Sequence, residues 1–287
     1  MKNYVIYTDS CADLTKEMYR TLGLKTVQLD VIVEGEEPVS NDKVDIKEIY
    51  AKLRAKKSAS TAAVNIDKFL EVFEESAKEG LDILYLSFSS GLSSTYSAGV
   101  VAMKELQEKY PENKFYAVDT LCASMGQGLL VWHAAKKKEA GASIEEVKDF
   151  VESNKLNLCH WFTVDDLFFL KRGGRVSAAT AVVGSLLNIK PVLHVDNAGK
   201  LINVSKVRGR KAAIDTMFEN MKKSMLPDVN DTVFISHGDC IEDARYLANR
   251  VKNELNISNI EINYVGPVIG SHSGPGTLAL FFFGNER

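Results

Sequence analysis

Residues 4–33, YVIYTDSCADLTKEMYRTLGLKTVQLDVIV, decide the fold class of this chain. The apolar run at 4–7 predicts a strand, residues 15–22 have the apolar spacing of a helix that stops at Gly23, and residues 26–33 predict another strand. A strand, a helix and a strand in this order predict two parallel strands joined by a crossover helix.

The same alternation continues along the chain. Further helices are predicted at 45–55, 66–78, 93–109, 124–138 and 144–153, with strands at 83–86 and 115–118. The second half predicts helices at 176–187, 211–223 and 242–255, and strands at 158–164, 192–195, 201–204, 232–236, 260–265 and 277–283. Asp196-Asn197-Ala198-Gly199 predicts a hairpin turn, so the strands on either side of it are expected to be antiparallel.

We therefore predict a two-domain α/β protein, because 287 residues exceed what most single cores accommodate. Residues 1–160 are expected to form a three-layer α/β/α domain with a mainly parallel sheet. Residues 161–287 are expected to form an α/β domain with a mixed sheet.

The composition of the chain excludes some classes of function. Lys and Arg total 35 against 38 Asp and Glu, a net charge of −3 that argues against binding to nucleic acid. The apolar run at 4–7 is too short for a signal peptide or a membrane span, so we expect a cytoplasmic protein without stable membrane insertion. The four cysteines are widely separated and form no CxxC pair, which predicts no metal site.

Ligands of parallel α/β sheets bind beyond the carboxyl ends of the strands. Polar loops follow three predicted strands here, at residues 8–10, 87–95 and 119–120. Residues 87–95, SFSSGLSST, concentrate hydroxyl groups directly before a long helix, whose N-terminus attracts anions. The residue types alone leave anion binding and helix capping by Ser93 or Ser94 equally open.

Four other segments have simple structural explanations when each is taken alone. Residues 58–63 read as a small-residue loop, and residues 162–177 as a core helix with a glycine stop at Gly173-Gly174-Arg175. Residues 266–276 form a predicted glycine-rich loop that contains His272, and residues 206–211 form a basic run before a helix.

Together these segments resemble the DegV family of fatty-acid-binding proteins. The resemblance runs from Thr8-Asp9-Ser10 to the Gly-Pro-Gly at 274–276. It rests on residues 86–96 with their serine-glycine-leucine-serine pattern, on the Gly-Gly-Arg at 173–175, on Ile189-Lys190-Pro191, and on residues 206–211 and 266–276.

The resemblance implies a carrier, not an enzyme, that buries the chain of a long fatty acid such as palmitate and needs no cofactor. Aligned on Phe69 and Leu92, the family's carboxylate-binding threonine and serine are Thr61 and Ser93. The expected neighbours of the head group are Ser94, Asp9, Ser10, His272 and Arg175.

Some family members present the carboxylate to a separate DAK-type fatty-acid kinase for phosphorylation. The resemblance implies the same role here, with docking through Lys206, Arg208 and Arg210. The chain departs from the family pattern at Ala62-Ala63-Val64-Asn65 and at Ser93-Ser94, which changes the rim of the expected head-group site.

Two other functions remain open from the sequence. A serine hydrolase of lipid-like or acyl substrates would use Ser93, His272 and Asp9 as a dispersed triad, because triads are defined by geometry and not by chain order. A regulatory module would bind a different acidic small molecule.

Overall fold

The computed structural model describes residues 3–177, 188–227 and 229–287. The predicted helix at 176–187 falls outside these residues except for its first two positions. The strands are β1 (Tyr4–Asp9), β2 (Lys25–Val27), β3 (Asp30–Val33), β4 (Val39–Ser40), β5 (Ala59–Ala62), β6 (Asp82–Ser87), β7 (Phe115–Asp119), β8 (Leu158–Thr163), β9 (Ile189–Val195), β10 (Leu201–Arg208), β11 (Thr232–His237), β12 (Asn259–Tyr264) and β13 (Leu278–Phe283). The helices are α1 (Lys16–Thr21), α2 (Ile46–Arg54), α3 (Ile66–Lys78), α4 (Thr95–Lys109), α5 (Met125–Glu139), α6 (Ile144–Asn154), α7 (Phe168–Arg172), α8 (Arg210–Ser224), α9 (Ile241–Leu255) and α10 (Pro267–Ser273).

The first sheet has the strand order β2-β1-β6-β7, and all of its strands are parallel. Every residue of β1 and β6 is buried, as expected for parallel strands covered by helices on both faces. The apolar residues of α3 and α4 pack on one face of this sheet and those of α5 and α6 on the other. The prediction of a parallel sheet between helices is confirmed.

The second sheet has the order β10-β9-β8-β13-β11-β12. Only β11 and β12 are parallel neighbours, and the other pairs are antiparallel, which confirms the predicted mixed sheet. Asp196 Oδ1 accepts hydrogen bonds from the backbone N–H groups of Ala198 and Lys200, which closes the predicted hairpin turn. Strand β8 spans residue 160, so the expected domain boundary falls within a strand and stays a prediction.

Three segments differ from their predictions. Residues 26–33 are not one strand, because β2 pairs in the first sheet while β3 joins a small sheet of order β4-β3-β5. Residues 58–63 are not a loop, because β5 pairs antiparallel with β3. The expected glycine-rich loop contains α10, which begins at Pro267, a favoured first helical residue, and is capped after Ser273 by Gly274, whose φ is +78°.

Helix α5 lies between the first and second sheets. Nine of its fifteen residues are buried, and it contacts β8, β11 and β13 of the second sheet. A Cβ at Gly126 would lie 2.3 Å from His160 Nε2, and one at Gly128 would lie 2.5 Å from the carbonyl oxygen of Ala12. Both glycines are therefore needed for the close approach of this helix to its neighbours.

An aromatic cluster stabilises the side of the first sheet that α3 covers. The ring of Phe73 lies 4.9 Å from that of Tyr7, 5.1 Å from that of Phe69 and 5.7 Å from that of Tyr85. We predict that Phe73→Ala lowers the free energy of unfolding by about 3–5 kcal/mol, because it leaves a cavity among these rings. Urea denaturation measures this, and Val101→Ala, at a 40% exposed position, should change it by less than about 0.5 kcal/mol. Equal effects of the two substitutions would contradict the packing described here.

Candidate functional site

A largely apolar cavity of about 300 Å³ lies between the loops of the first sheet and the inner face of the second. This volume is at the lower end of the range typical of ligand pockets. Its apolar walls include Leu29, Phe88, Leu92, Phe162, Val268 and Phe281. Phe162 and Phe281 lie on the face of the second sheet that packs towards α5, so both sheets contribute to the cavity.

Polar groups gather in one part of this cavity. Thr61 on β5, Ser93 and Ser94 before α4, Arg175 after α7 and His272 on α10 all line it. Thr61 Oγ1 lies 2.8 Å from His272 Nε2, within hydrogen-bond distance. We call these five residues the polar end of the cavity. The fold thus brings together residues that are up to 211 positions apart in the chain.

The hydroxyl of Ser93 forms hydrogen bonds within the loop and is still able to donate one to a ligand. Its Oγ accepts a hydrogen bond from the backbone N–H of Thr95, the first residue of α4, and lies 2.9 Å from Thr95 Oγ1. If Thr95 donates its hydroxyl proton to Ser93, the proton of Ser93 is free for a ligand. Ser94 makes no side-chain capping bond. Capping and anion binding are therefore compatible at Ser93.

Two arginines give this region positive charge, Arg175 within the polar end and Arg172 beside it. Arg175 donates from Nε and Nη2 to the carbonyl oxygen of Leu92, next to Ser93, and burial lowers its pKa. Arg172 Nη1 donates to Ser58 Oγ at 3.4 Å. Neither guanidinium forms an ion pair with a carboxylate in the described part of the chain. The positive charge at this end is thus available to an anionic ligand.

The imidazole of His272 is held in its neutral form. Burial and then the charges of Arg175 and Arg172 lower its pKa to about 4. At neutral pH His272 is therefore one partner of Thr61 in a neutral hydrogen bond and adds no positive charge to the site.

Asp9 and Ser10 do not line the cavity. The carboxylate of Asp9 is fully buried and accepts hydrogen bonds from the hydroxyl of Tyr85 and from the backbone N–H groups of Cys11 and Phe88. Ser10 Oγ accepts from the backbone N–H of Leu29. Asp9 thus fixes the loop that leads to Ser93 without reaching the ligand space itself.

Comparison with known proteins agrees with this architecture. The family model described as an uncharacterised protein of the DegV family matches residues 3–285. A DegV domain-containing protein of Clostridium perfringens is 46% identical over 289 residues, which cover 100% of this chain and 99% of that protein. The chain belongs to the DegV family.

Solved structures of other DegV proteins share the whole fold. A DegV family protein from Thermus thermophilus, whose structure is described as showing fatty acid binding, matches with a TM-score of 0.88 and 28% identity, covering 99% of this chain and 100% of that one. DegV from Bacillus subtilis, described as a fatty acid binding protein, matches with a TM-score of 0.85, 28% identity and the same coverage.

The hypothetical hydrolase triad is not assembled in this DegV protein. No hydrogen bond within the described ranges joins Ser93, His272 and Asp9, because each is bonded to other groups. Across the same ranges no group of three or more His, Cys, Asp or Glu side chains is arranged to hold a metal ion. No described helix combines the length and apolarity required to cross a membrane.

The three basic residues expected to dock a partner lie on or next to β10. Lys206 and Arg208 are exposed, and both project from the same face of this edge strand. Arg210 instead forms an ion pair with Asp243 at 2.9 Å and a longer one with Asp165 at 3.8 Å. Lys206 and Arg208 are therefore the more accessible cations of this group.

Sequence reasoning missed several residues of the cavity. Arg172, which lines a cleft next to the cavity, lies in the predicted cationic turn, but its position beside Ser58 depends on how α7 packs. Four hydroxyl residues line the cavity itself: Ser124, Ser236, Ser273 and Thr277. Ser273 lies within the predicted glycine-rich loop at 266–276, whereas the other three lie outside the candidate ligand segments. No motif or spacing in the sequence connects them.

The lowered pKa of His272 predicts a pH dependence of stability. An unfolded histidine binds a proton below about pH 6.5, whereas folded His272 does so only near pH 4, so its contribution is complete above pH 6.5 and is lost as the pH falls towards 4. Between pH 7 and 5 the wild-type protein should lose about 2 kcal/mol more unfolding free energy than His272→Gln. Urea denaturation at the two pH values measures the difference. Equal losses, or an NMR pKa above 6 for His272 in the ligand-free protein, would contradict this assignment.

Proposed function

We propose that this DegV protein is a fatty-acid carrier, which encloses a long acyl chain in the cavity and binds its carboxylate at the polar end. The observation that carries the proposal is the combination, in one cavity, of apolar walls with hydroxyl groups and with Arg175, which forms no ion pair with a carboxylate in the described part of the chain. A long-chain carboxylic acid has matching chemistry, with an apolar body and one anionic end. The fatty acids described for related structures support the same assignment.

Burial of the acyl chain dominates the affinity. Each methylene removed from water contributes about 0.8 kcal/mol, so about fourteen methylenes would contribute on the order of 11 kcal/mol before ordering costs. The carboxylate contributes differently, because an unpaired charge in such a site carries a large desolvation penalty. Hydrogen bonds from Thr61 and Ser93, with Arg175 nearby, offset this penalty and orient the ligand.

A second cleft adjoins the polar end and leads outward from it. Thr61, Arg175 and His272 line this cleft as well as the cavity, together with Ser60 and Arg172. We propose that the carboxylate lies where the cavity meets this cleft. A separate DAK-type fatty-acid kinase would then reach the carboxylate and phosphorylate it while the acyl chain stays buried. Lys206 and Arg208 would bind an acidic surface of that partner.

The carboxylate site is tested by comparing an acid with an alcohol of equal chain length. Thr61→Val and Ser93→Ala should each weaken palmitate binding by about 10- to 100-fold, because each removes a hydrogen bond to a charged group. Binding of hexadecanol should change less than about threefold, since its buried chain is the same. Titration calorimetry measures both ligands, with Ser90→Ala, an exposed hydroxyl outside the cavity lining, as the control. Equal losses for acid and alcohol would show that these hydroxyls do not bind the carboxylate.

Docking is tested at a residue outside the ligand site. Arg208→Glu should leave palmitate affinity unchanged and slow acyl-phosphate formation by the cognate kinase about tenfold, because repulsion reduces the association rate. Lys252→Glu makes the same change of charge at an exposed position on α9 and should have little effect. Unchanged turnover with Arg208→Glu would refute the docking assignment.

A further inference from the structure

The cavity contains a second group of polar residues that carboxylate binding at the polar end does not use. Four hydroxyl residues, Ser124, Ser236, Ser273 and Thr277, line the cavity and are each at most 5% exposed. We call them the hydroxyl cluster. Ser124 Oγ lies 3.1 Å from Ser236 Oγ, and the backbone of Thr277 bonds to Gly238, two residues beyond Ser236. Thr277 Oγ1 donates to the carbonyl oxygen of Gly274, which follows Ser273.

The hydroxyl cluster lies next to the apolar wall of the cavity, along which the acyl chain would lie. Ser236 pairs with Ala279 in the second sheet, and Ala279 pairs with Phe162 on its other side. Both of these neighbours line the apolar wall. The hydroxyl of Ser236 therefore belongs to the sheet face against which methylene groups would pack.

The hydrogen bonds of the cluster are incomplete. With Asp13 ionised, Ser124 donates to Asp13 Oδ2 at 2.6 Å, so Ser236 donates to Ser124. This leaves the lone pairs of Ser236 without a described donor. Ser273 Oγ, on a residue only 4% exposed, has no hydrogen-bond partner within the described ranges. The cluster thus offers one free donor and free acceptors to a group in the cavity.

The backbone of Ser124 has a strained conformation, which the contacts around the hydroxyl cluster maintain. Ser124 has φ of 53° and ψ of −148°, a conformation that non-glycine residues rarely adopt. Its hydroxyl is fixed by buried Asp13, and a Cβ at Gly266 would lie 2.2 Å from Asp13 Oδ1. Local strain of this kind persists where surrounding contacts impose it, and it is concentrated at functional sites.

An unsubstituted acyl chain would place methylene groups against these hydroxyl groups. The free donor and acceptors of the cluster would then have no hydrogen-bond partner, which is unfavourable for buried polar atoms. A ligand with an oxygen on its chain would complete them. We propose that the cavity selects fatty acids that carry a hydroxyl or keto group on the acyl chain, and that the hydroxyl cluster binds this oxygen. The inference rests on the proposed carrier function and specifies its ligand class.

The test compares stearate with octadecanoic acids hydroxylated at carbon 2, 3, 10 or 12, by titration calorimetry on delipidated full-length protein. At least one hydroxylated acid should bind at least about fivefold more tightly than stearate, because a site with buried polar groups disfavours the analogue that leaves them unpaired. Ser236→Ala and Ser273→Ala should each abolish this preference, because each weakens binding of the hydroxylated acid more than binding of stearate. Ser271→Ala is the matched control, because this buried serine on α10 already donates to Pro267 and does not line the cavity.

Each other outcome overturns the inference in a distinct way. If no hydroxylated acid binds more tightly than stearate, or if the preference persists in both variants, the cluster does not select oxygenated chains. If Ser236→Ala weakens stearate as much as Thr61→Val does, the cluster binds the carboxylate instead. If stearate itself does not bind the wild-type protein, the carrier function fails together with this inference.

Discussion

The buried carboxylate of Asp9 is the constraint on which the ligand site depends. It lies at the end of β1 and accepts hydrogen bonds from the backbone N–H groups of Cys11 and Phe88, from the hydroxyl of Tyr85 and from Gln127 on α5. These bonds join the first strand, the serine-rich loop after β6 and the helix between the two sheets. The loop that carries Ser93 is therefore positioned from within the core, and its hydroxyl groups are placed before any ligand arrives.

Rigid positioning of the polar groups would allow a site of this size to bind the charged head group that we propose. Thr61 lies on strand β5 and His272 on helix α10, yet they are within hydrogen-bond distance, and Arg175 is anchored on the carbonyl oxygen of Leu92. These side chains lose their conformational entropy when the protein folds. Ligand binding therefore does not have to order them, and their hydrogen bonds contribute more to the affinity. In the proposed carrier, the apolar walls would provide affinity, while the fixed polar groups would determine the orientation of the ligand.

Much of the fold was predictable because long helices and buried strands have strong periodicity. Helix 66–78 was predicted at its observed bounds, whereas 26–33 was wrongly joined into one strand, since apolar alternation does not reveal a change of sheet between Val27 and Asp30.

For the site, the family pattern indicated Thr61, Ser93, Arg175 and His272, which line one cavity. The placement of Asp9 was not predictable, because a polar residue after a strand has the same pattern whether it faces a ligand or the core. The hydroxyl cluster depends on contacts between distant segments.

Native mass spectrometry of the purified protein shows whether the folded chain binds a fatty acid. The protein would be delipidated, mixed with palmitate and examined under non-denaturing conditions, with denatured protein as the control. We expect one added mass of palmitate per chain, which survives in the folded protein and disappears on denaturation. Absence of this adduct from folded protein at saturating palmitate would contradict the proposal that the cavity is a fatty-acid site.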